Sequence, residues 1–138
     1  MKVFVDTNVF LDLILKREAY KEALLIFNAV KKKMFTGVIL DITLLNIDYV
    51  AQKQVRDVRN FLRFVNSVFD IQDASNSSVN EALAIDNNDL EDNLQYVRAI
   101  NSKATLIISN DIKFYQGKIE VMNSRAFVEK YIEKTICD

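Results

Sequence analysis

The sequence contains no histidine, no proline and no tryptophan, and it has only two glycines and one cysteine. Without histidine there is no Ser-His-Asp or Cys-His nucleophile, no histidine general base and no HExxH zinc site. Gly37 and Gly117 are isolated, which excludes a Gly-rich phosphate loop and a GxGxxG dinucleotide fingerprint. The single Cys137 excludes an intrachain disulfide and a cysteine-based zinc site, and this is typical of a protein from a reducing compartment.

Long hydrophobic runs are also missing. The amino-terminal segment MKVFVDTNVFLDLIL is interrupted by Asp6, Asn8 and Asp12, so it lacks the continuous apolar region of a signal peptide. No run approaches the roughly 18 apolar residues that span a bilayer. We therefore expect a cytoplasmic protein that has no membrane partner.

The length and the charge distribution further limit the domain organisation and the possible functions. At roughly 100–200 residues per domain, residues 1–138 are expected to form a single domain. The composition is globular, with 50% hydrophobic and 27% charged residues. The net charge of −1 argues against strong, unassisted nucleic-acid binding, but residues 61–100 hold seven Asp or Glu against two Arg. This acidic segment fits either a solvated face or part of a cation site.

Short apolar runs alternate with amphipathic stretches along the chain. The segments predicted as strands are 2–5, 37–40, 69–71, 105–108 and 119–122. The predicted helices are 9–15 with Asp12 on its exposed side, 19–33, 41 or 43 to 54, 55–68, a short helix after the Ser/Asn cluster at 75–78, 90–101, and one capped by Ser124. This alternation predicts an α/β fold, a three-layer sandwich in which a central, mostly parallel sheet is flanked by helices.

Acidic and polar residues follow three of the predicted strands, at Asp6-Thr7-Asn8, Asp41-Ile42-Thr43 and Ser109-Asn110-Asp111. The carboxyl ends of parallel strands meet at one edge, where ligands bind. A further acidic run, Asp89-Leu90-Glu91-Asp92, opens a predicted helix. Each acid alone has an ordinary explanation as a helix cap or first-turn charge. Together they would repel one another unless a cation neutralised them, and oxygen ligands without His or Cys favour Mg²⁺ or Mn²⁺ over zinc.

These residues carry a resemblance to the toxin-like type of PIN-domain nuclease. The opening MKVFVDTNVFLDLILKRE resembles the family's first strand, which ends in D-T-N. The segment DLEDNLQY at 89–96 is similar to D-x-E-D-A-L-Q, and IISNDIKF at 107–114 resembles a strand followed by T-x-D-x-x-F. Ile119-Glu120-Val121 and Phe127 resemble the last strand and helix. The motifs occur in the family's order over essentially the full chain.

The resemblance implies a PIN-like fold and a ribonuclease that uses Mg²⁺ or Mn²⁺ to hydrolyse RNA phosphodiester bonds, commonly the toxin of a bacterial toxin–antitoxin pair. The implied catalytic and metal-binding residues are Asp6, Asp92 and Asp111. Asn8 is implied to orient Asp6, Ser109 to hold a water at the metal, and Asn110 to support them. The implied partners are the RNA substrate, a small antitoxin protein and a second copy of the chain in a homodimer.

One position departs from the family pattern. The family usually carries Glu in T-x-x-E-x-x-Y after the second strand, whereas this sequence has Asn46 in Thr43-Leu44-Leu45-Asn46-Ile47-Asp48-Tyr49. Asp48 lies about 200° around the helix and is a poor substitute. Asn46 still offers a carbonyl ligand without charge, and Asp89 is either a replacement charge or only a helix cap. From the residues alone, Asn46→Glu is expected to raise metal affinity roughly tenfold.

Alternatives to an active nuclease remain open. Lys2, Lys16, Arg17, Lys113 and Lys118 are candidate contacts to the RNA backbone, or solvated surface cations. Asn46 leaves room for a degenerate PIN domain that binds RNA or a partner protein with weak or no catalysis. A receiver-type phosphoacceptor domain or a haloacid-dehalogenase-like phosphatase is disfavoured, because Asp6 is not paired with a second acid in its own motif.

Overall fold

Apolar runs form the strands of this chain, and amphipathic stretches form its helices, in a computed structural model that describes residues 1–133. The strands are β1 (Lys2–Val5), β2 (Thr36–Leu40), β3 (Asp70–Gln72), β4 (Leu106–Ile108) and β5 (Glu120–Met122). The helices are α1 (Thr7–Ile14), α2 (Tyr20–Lys31), α3 (Asp41–Ala51), α4 (Val58–Val68), α5 (Asn76–Leu83), α6 (Leu90–Asn101) and α7 (Ser124–Phe127), which continues as a π-helical turn at Val128–Glu133. Within this range no helix is long and apolar enough to cross a membrane. Cys137 lies outside the described residues.

The five strands form one parallel sheet in the order β3-β2-β1-β4-β5. The chain adds β2 and β3 on one side of β1 and then returns to add β4 and β5 on the other. The order therefore reverses between β1 and β4, where Val5 pairs with Ile108 near the carboxyl ends. Ligands bind in the crevice outside such a switch point.

Helices cover both faces of the sheet. Along β1, Val3 and Val5 face one core and Phe4 faces the other. The first core includes residues of α1, α2, α3, α4 and α7, and the second includes residues of α5 and α6. Strands buried on both faces must be apolar, which is why β1, β2 and β4 at the centre of the sheet show no polar alternation, whereas the edge strands β3 and β5 carry exposed polar residues. The predicted three-layer α/β sandwich is confirmed.

Several helix ends differ from the predicted ones. α1 begins at Thr7, directly after β1, and residues 52–57 form a turn between α3 and α4. The apolar pattern runs through this turn because Val55 packs against the first core, so the sequence predicted two helices that meet at 54 and 55 and did not reveal the turn between them. Ser124 does not cap the last helix. The side-chain oxygen of Asn123 accepts from the Ala126 N–H (2.7 Å), and Ser124 is buried.

Gly37 in β2 occupies a position where a side chain would collide with the core. A Cβ on Gly37 would lie 2.5 Å from Cε1 of Phe69 and 3.0 Å from Cγ1 of Val30. The Phe69 ring is itself held by Phe10 and Phe27, with centroid distances of 5.0 and 5.1 Å. We therefore expect Gly37→Ala to lower the free energy of unfolding by roughly 1–3 kcal/mol, as overpacking does.

Denaturant unfolding of wild type, Gly37→Ala, Phe69→Leu and the double variant measures this effect. Gly37→Ala should be less harmful when Phe69 is already replaced by the smaller Leu, because the colliding ring is gone. An equal penalty in both backgrounds would show that Phe69 is not the obstacle.

Candidate metal centre at the carboxyl edge of the sheet

The backbone brings Asp6 and the segment 109–111 together at the switch point. The Asp6 N–H donates to the Ile108 carbonyl (2.9 Å), so the ladder between β1 and β4 continues to the first residue of the site. The Ser109 N–H donates to the Met122 carbonyl at the end of β5 (3.0 Å). Parallel pairing therefore places a carboxylate and a polar loop at the same edge before any side-chain contact forms.

Both carboxylate oxygens of Asp6 accept hydrogen bonds from neutral side chains. Gln95 on α6 donates from Nε2 to Oδ1 (2.9 Å), and Ser109 donates from Oγ to Oδ2 (2.7 Å). Asp6 is 3% exposed, and this burial raises the pKa of its carboxyl. The two donors oppose that rise because they stabilise the charged form. They also fix the orientation of the carboxylate.

Asp89, Asp92 and Asp111 form a compact group of carboxylates beside Asp6. One oxygen from each lies within 4.8 Å of the others. Asp89 and Asp92 come from the start of α6, and Asp111 comes from the loop after β4. Oδ1 of Asp89 also accepts from the Asp92 N–H (3.1 Å). Asp89 is therefore both a helix cap and a member of the acidic group.

The charge of this group is not neutralised by the protein. Burial, followed by repulsion from neighbouring carboxylates, raises the pKa of Asp92 to about 7. In order of influence, these neighbours are Asp6, Asp89, Asp111 and Glu91. Within residues 1–133 the structure has one ion pair, between Arg125 and Glu129. No Lys or Arg of these residues forms an ion pair with the acidic group. A cluster of oxygen donors with uncompensated negative charge fits a hard divalent cation.

Ser109 connects Asp6 to the loop that carries Asp111. While its Oγ donates to Asp6, the same oxygen accepts from the Asp111 N–H (3.2 Å). Oδ1 of Asp111 accepts in turn from the Lys113 N–H (2.9 Å). One buried hydroxyl thus sets the positions of two of the acids at once.

Asn8 does not orient Asp6. Its side chain forms no hydrogen bond within residues 1–133, and the donors to Asp6 are Gln95 and Ser109. Asp6 precedes α1 in extended backbone and Asn8 lies in the first turn of that helix, so the two side chains need not point the same way. Gln95 lies three residues after Asp92, on the same face of α6, and this spacing is the signal in the sequence that could have identified it.

A second polar network, reached through Asn110, supports the loop after β4. Nδ2 of Asn110 donates to Oδ2 of Asp12 (2.7 Å), and Oδ1 accepts from the N–H (2.9 Å) and Oγ (2.7 Å) of Ser124. Asp12 is 8% exposed, so its predicted place on the exposed side of α1 is wrong. The polar face of α1 is turned toward Asn110, which satisfies the buried carboxylate. Asn110 thus braces the loop from behind and makes no hydrogen bond to Asp6.

Asn46 on α3 faces α6. Its Nδ2 donates to Oε1 of Glu91 (3.0 Å), and Oγ1 of Thr7 donates to the same oxygen (3.1 Å). Thr7 also contacts the hydroxyl of Thr43 (3.3 Å). Asp48 points elsewhere and borders a surface depression with Gln52 and Arg56. Glu91 and Thr7 were not singled out from the sequence, because the contact depends on the tertiary fold bringing α3 and the start of α6 to the same edge of the sheet.

Comparison of the sequence with known proteins identifies a family. Residues 2–113 match the family model described as PIN domain. The chain is also 33% identical over 140 residues to Ribonuclease VapC1 of Aquifex aeolicus, an alignment that covers 94% of this chain and 95% of that protein. This chain belongs to the PIN-domain family.

Two solved structures share the fold of this PIN domain. VapBC2 from Rickettsia felis, bound to a DNA fragment from its promoter, superposes with a TM-score of 0.67 at 19% identity and covers 89% of this chain and 98% of that chain. A toxin–antitoxin complex from Klebsiella pneumoniae superposes with a TM-score of 0.66 at 21% identity and covers 88% and 97%. The predicted PIN-like architecture is confirmed.

The five cations considered for RNA contact are not brought to one place in the PIN domain. Lys113 directly follows the loop of Asp111. Lys16 and Arg17 lie in the turn after α1. Nζ of Lys2 donates to the Ser102 carbonyl (2.9 Å) at the amino end of the strands, and Lys118 precedes β5 at that same edge. Because parallel strands share one direction, Lys2 and Lys118 lie on the wrong side of the sheet to contact a substrate held at the carboxylates.

The raised pKa of Asp92 predicts how the metal-free PIN domain responds to pH. The folded protein keeps the Asp92 proton up to about pH 7, whereas the ordinary value is 3.8. The folded state therefore binds more protons between these values, and this term loses stability as the pH rises. In EDTA, the melting temperature of Asp92→Asn minus that of wild type should therefore increase as the pH is raised from about 4 to about 7.

Melting curves at several pH values in EDTA test this expectation. Asp73→Asn removes an exposed carboxylate that lies outside the acidic group and serves as the control, with no such trend. A pH-independent difference between Asp92→Asn and wild type would mean that Asp92 is not protonated in the folded protein.

Proposed function

We propose that this PIN domain is a divalent-metal-dependent endoribonuclease that hydrolyses RNA phosphodiester bonds and acts as the toxin of a bacterial toxin–antitoxin system. The observation that carries the proposal is the convergence of Asp6, Asp89, Asp92 and Asp111 at the switch point of the sheet without a protein cation. The identity to a protein named as a ribonuclease, over nearly the full length of both chains, supports the substrate class.

We propose that Mg²⁺ or Mn²⁺ is held by Asp92 and Asp111 together with the more deeply buried Asp6. The exposed Asp89 adds negative charge at the edge of the site. Such an ion, when bound, supplies positive charge to the scissile phosphate and makes coordinated water more acidic. Gln95 and Ser109 keep Asp6 in a single orientation, and Ser109 holds the loop of Asp111. The preformed arrangement reduces the reorganisation needed when substrate arrives.

Proton transfer in this site falls to carboxylates, since the chain has no histidine. Asp111 is partly exposed and lies in the loop after β4, so it is the carboxylate best placed to accept a proton at the open side of the group. Asp6 is 3% exposed and already accepts two hydrogen bonds, and this suits it to holding charge in place.

Lys113 is the cation best placed to meet an RNA phosphate, because it neighbours Asp111 in the exposed part of the loop. Lys16 and Arg17, in the turn after α1, are further candidates. With few cations near the site and a net charge of −1, the domain should bind RNA weakly without the metal.

A small antitoxin protein is the partner that we propose. The structural relatives from Rickettsia felis and Klebsiella pneumoniae are toxin–antitoxin complexes, and their fold matches this chain along 89% and 88% of its length. A second copy of the chain in a homodimer remains the other proposed partner.

A degenerate PIN domain that binds RNA or a protein with weak or no catalysis is the alternative, because α3 offers Asn46 where an acid is usual. Glu91 keeps a carboxylate in hydrogen-bond contact with Asn46, and this observation favours the active enzyme. The two functions differ in a simple measurement, since only the enzyme cleaves RNA in a Mn²⁺-dependent, EDTA-sensitive way.

Replacing Asp92 tests the proposed function. Asp92→Asn should abolish Mn²⁺-dependent RNA cleavage and leave the fold intact, because it removes one charge from a repelling group while no side chain donates a hydrogen bond to the Asp92 carboxylate within residues 1–133. The melting temperature of the metal-free variant should hold or rise, and its increase on adding Mn²⁺ should shrink. Growth arrest on induction of the wild type in a bacterium should be absent with this variant.

Asp73→Asn is the matched control and should cleave RNA like wild type, because Asp73 is exposed and outside the acidic group. Cleavage by Asp92→Asn at the wild-type rate, or wild-type cleavage that persists in EDTA, would contradict the proposed site and its metal dependence.

A further inference from the structure

Glu91 is a carboxylate next to Asp92 that accepts more hydrogen bonds than its place in the helix requires. It lies in the first turn of α6, where the helix dipole stabilises a negative charge even without a hydrogen-bond donor. Instead, Asn46 and Thr7 both donate to one of its oxygens, at 3.0 and 3.1 Å. These donors come from α3 and α1, so three helices cooperate to hold one glutamate.

The charge of Glu91 acts on the acids of the site. Repulsion from Glu91 contributes to the raised pKa of both Asp6 and Asp92. Its second oxygen, Oε2, accepts no hydrogen bond within residues 1–133. One oxygen is therefore anchored and the other is left without a partner, in a residue adjacent to Asp92. No Lys or Arg of the described chain pairs with it.

We propose that Glu91 supplies the negative charge that α3 lacks at this metal centre, and that Asn46 is the positioning residue that holds it there. An acid at position 46 of α3 would meet Glu91 at the same point, because the side chains of Asn46 and Glu91 are in hydrogen-bond contact. At position 46 the usual acid is exchanged for a donor, and the carboxylate of this contact is on α6. This inference rests on the proposed metal-dependent function.

The exchange alters the effect expected for Asn46→Glu. A glutamate at this position would face Glu91 with an acceptor instead of a donor, so two carboxylates would repel at close range. Hence the single change should destabilise the metal-free protein and give little of the tenfold gain in affinity expected from the residues alone. With Glu91→Gln in addition, the glutamine amide can donate to the new glutamate, and the charge is restored on the opposite helix.

Calorimetric titration of Mn²⁺ into the metal-free protein tests the exchange without relying on activity. Glu91→Gln should weaken Mn²⁺ binding roughly tenfold, and Asn46→Glu combined with Glu91→Gln should recover most of that loss. Asn46→Ala should weaken binding in the wild-type background and change nothing in the Glu91→Gln background, because Asn46 acts through Glu91. Glu120→Gln, at the amino end of β5 and exposed, is the matched control and should bind like wild type.

The outcomes separate this inference from the proposed function. If wild type binds Mn²⁺ and Asp92→Asn does not, but Glu91→Gln binds like Glu120→Gln, then the function stands and the role of Glu91 is wrong. If the double variant is no better than Glu91→Gln, or if Asn46→Ala is equally harmful in both backgrounds, then Asn46 does not act by positioning Glu91. Failure of wild type to bind Mn²⁺ overturns both proposals together.

Discussion

Mutual repulsion among carboxylates at the switch point of the sheet is the constraint on which the rest of this structure depends. Parallel pairing of β1 with β4 and the start of α6 bring Asp6, Asp92 and Asp111 to one edge. Burial makes the charges of Asp6 and Asp92 harder to maintain than in water. The folded chain tolerates the arrangement by keeping a proton on Asp92 up to about pH 7, and the cation that we propose would neutralise the remaining charge. Stability and function therefore oppose each other at this edge, as perturbed carboxylates at functional sites commonly show.

The protein organises these acids with neutral donors. Gln95 and Ser109 hold Asp6, and Asn46 and Thr7 hold Glu91. A lysine or arginine in any of these places would orient a carboxylate equally well, but it would also neutralise the site and occupy the space of a cation. Amides and hydroxyls fix the geometry and leave the net charge negative. The choice of donor is thus part of the chemistry of the site.

The features that could be predicted from the sequence depend on neighbours along the chain. The apolar run before Asp6 predicts a buried strand that ends there, and the acidic run at 89–92 predicts the start of α6. The features that could not be predicted depend on contacts across the fold. Asp12 looks like a solvent-facing residue of an amphipathic helix, yet Asn110, 98 positions later, meets and buries it. Ser124 looks like a helix cap because serine is common at that position, but it is buried and its hydroxyl donates to Asn110.

The sequence by itself determined the class of chemistry. Its lack of histidine and its single cysteine exclude most hydrolytic sites, and acids at the ends of apolar strands leave a hard cation as the means of neutralising them. Only the tertiary structure decided which polar side chains serve those acids. Gln95 reaches Asp6 across 89 positions and Asn46 reaches Glu91 across 45, because the fold brings the start of α6 to the same edge of the sheet as Asp6 and α3. That placement is set by the whole core, and no local pattern of residues encodes it.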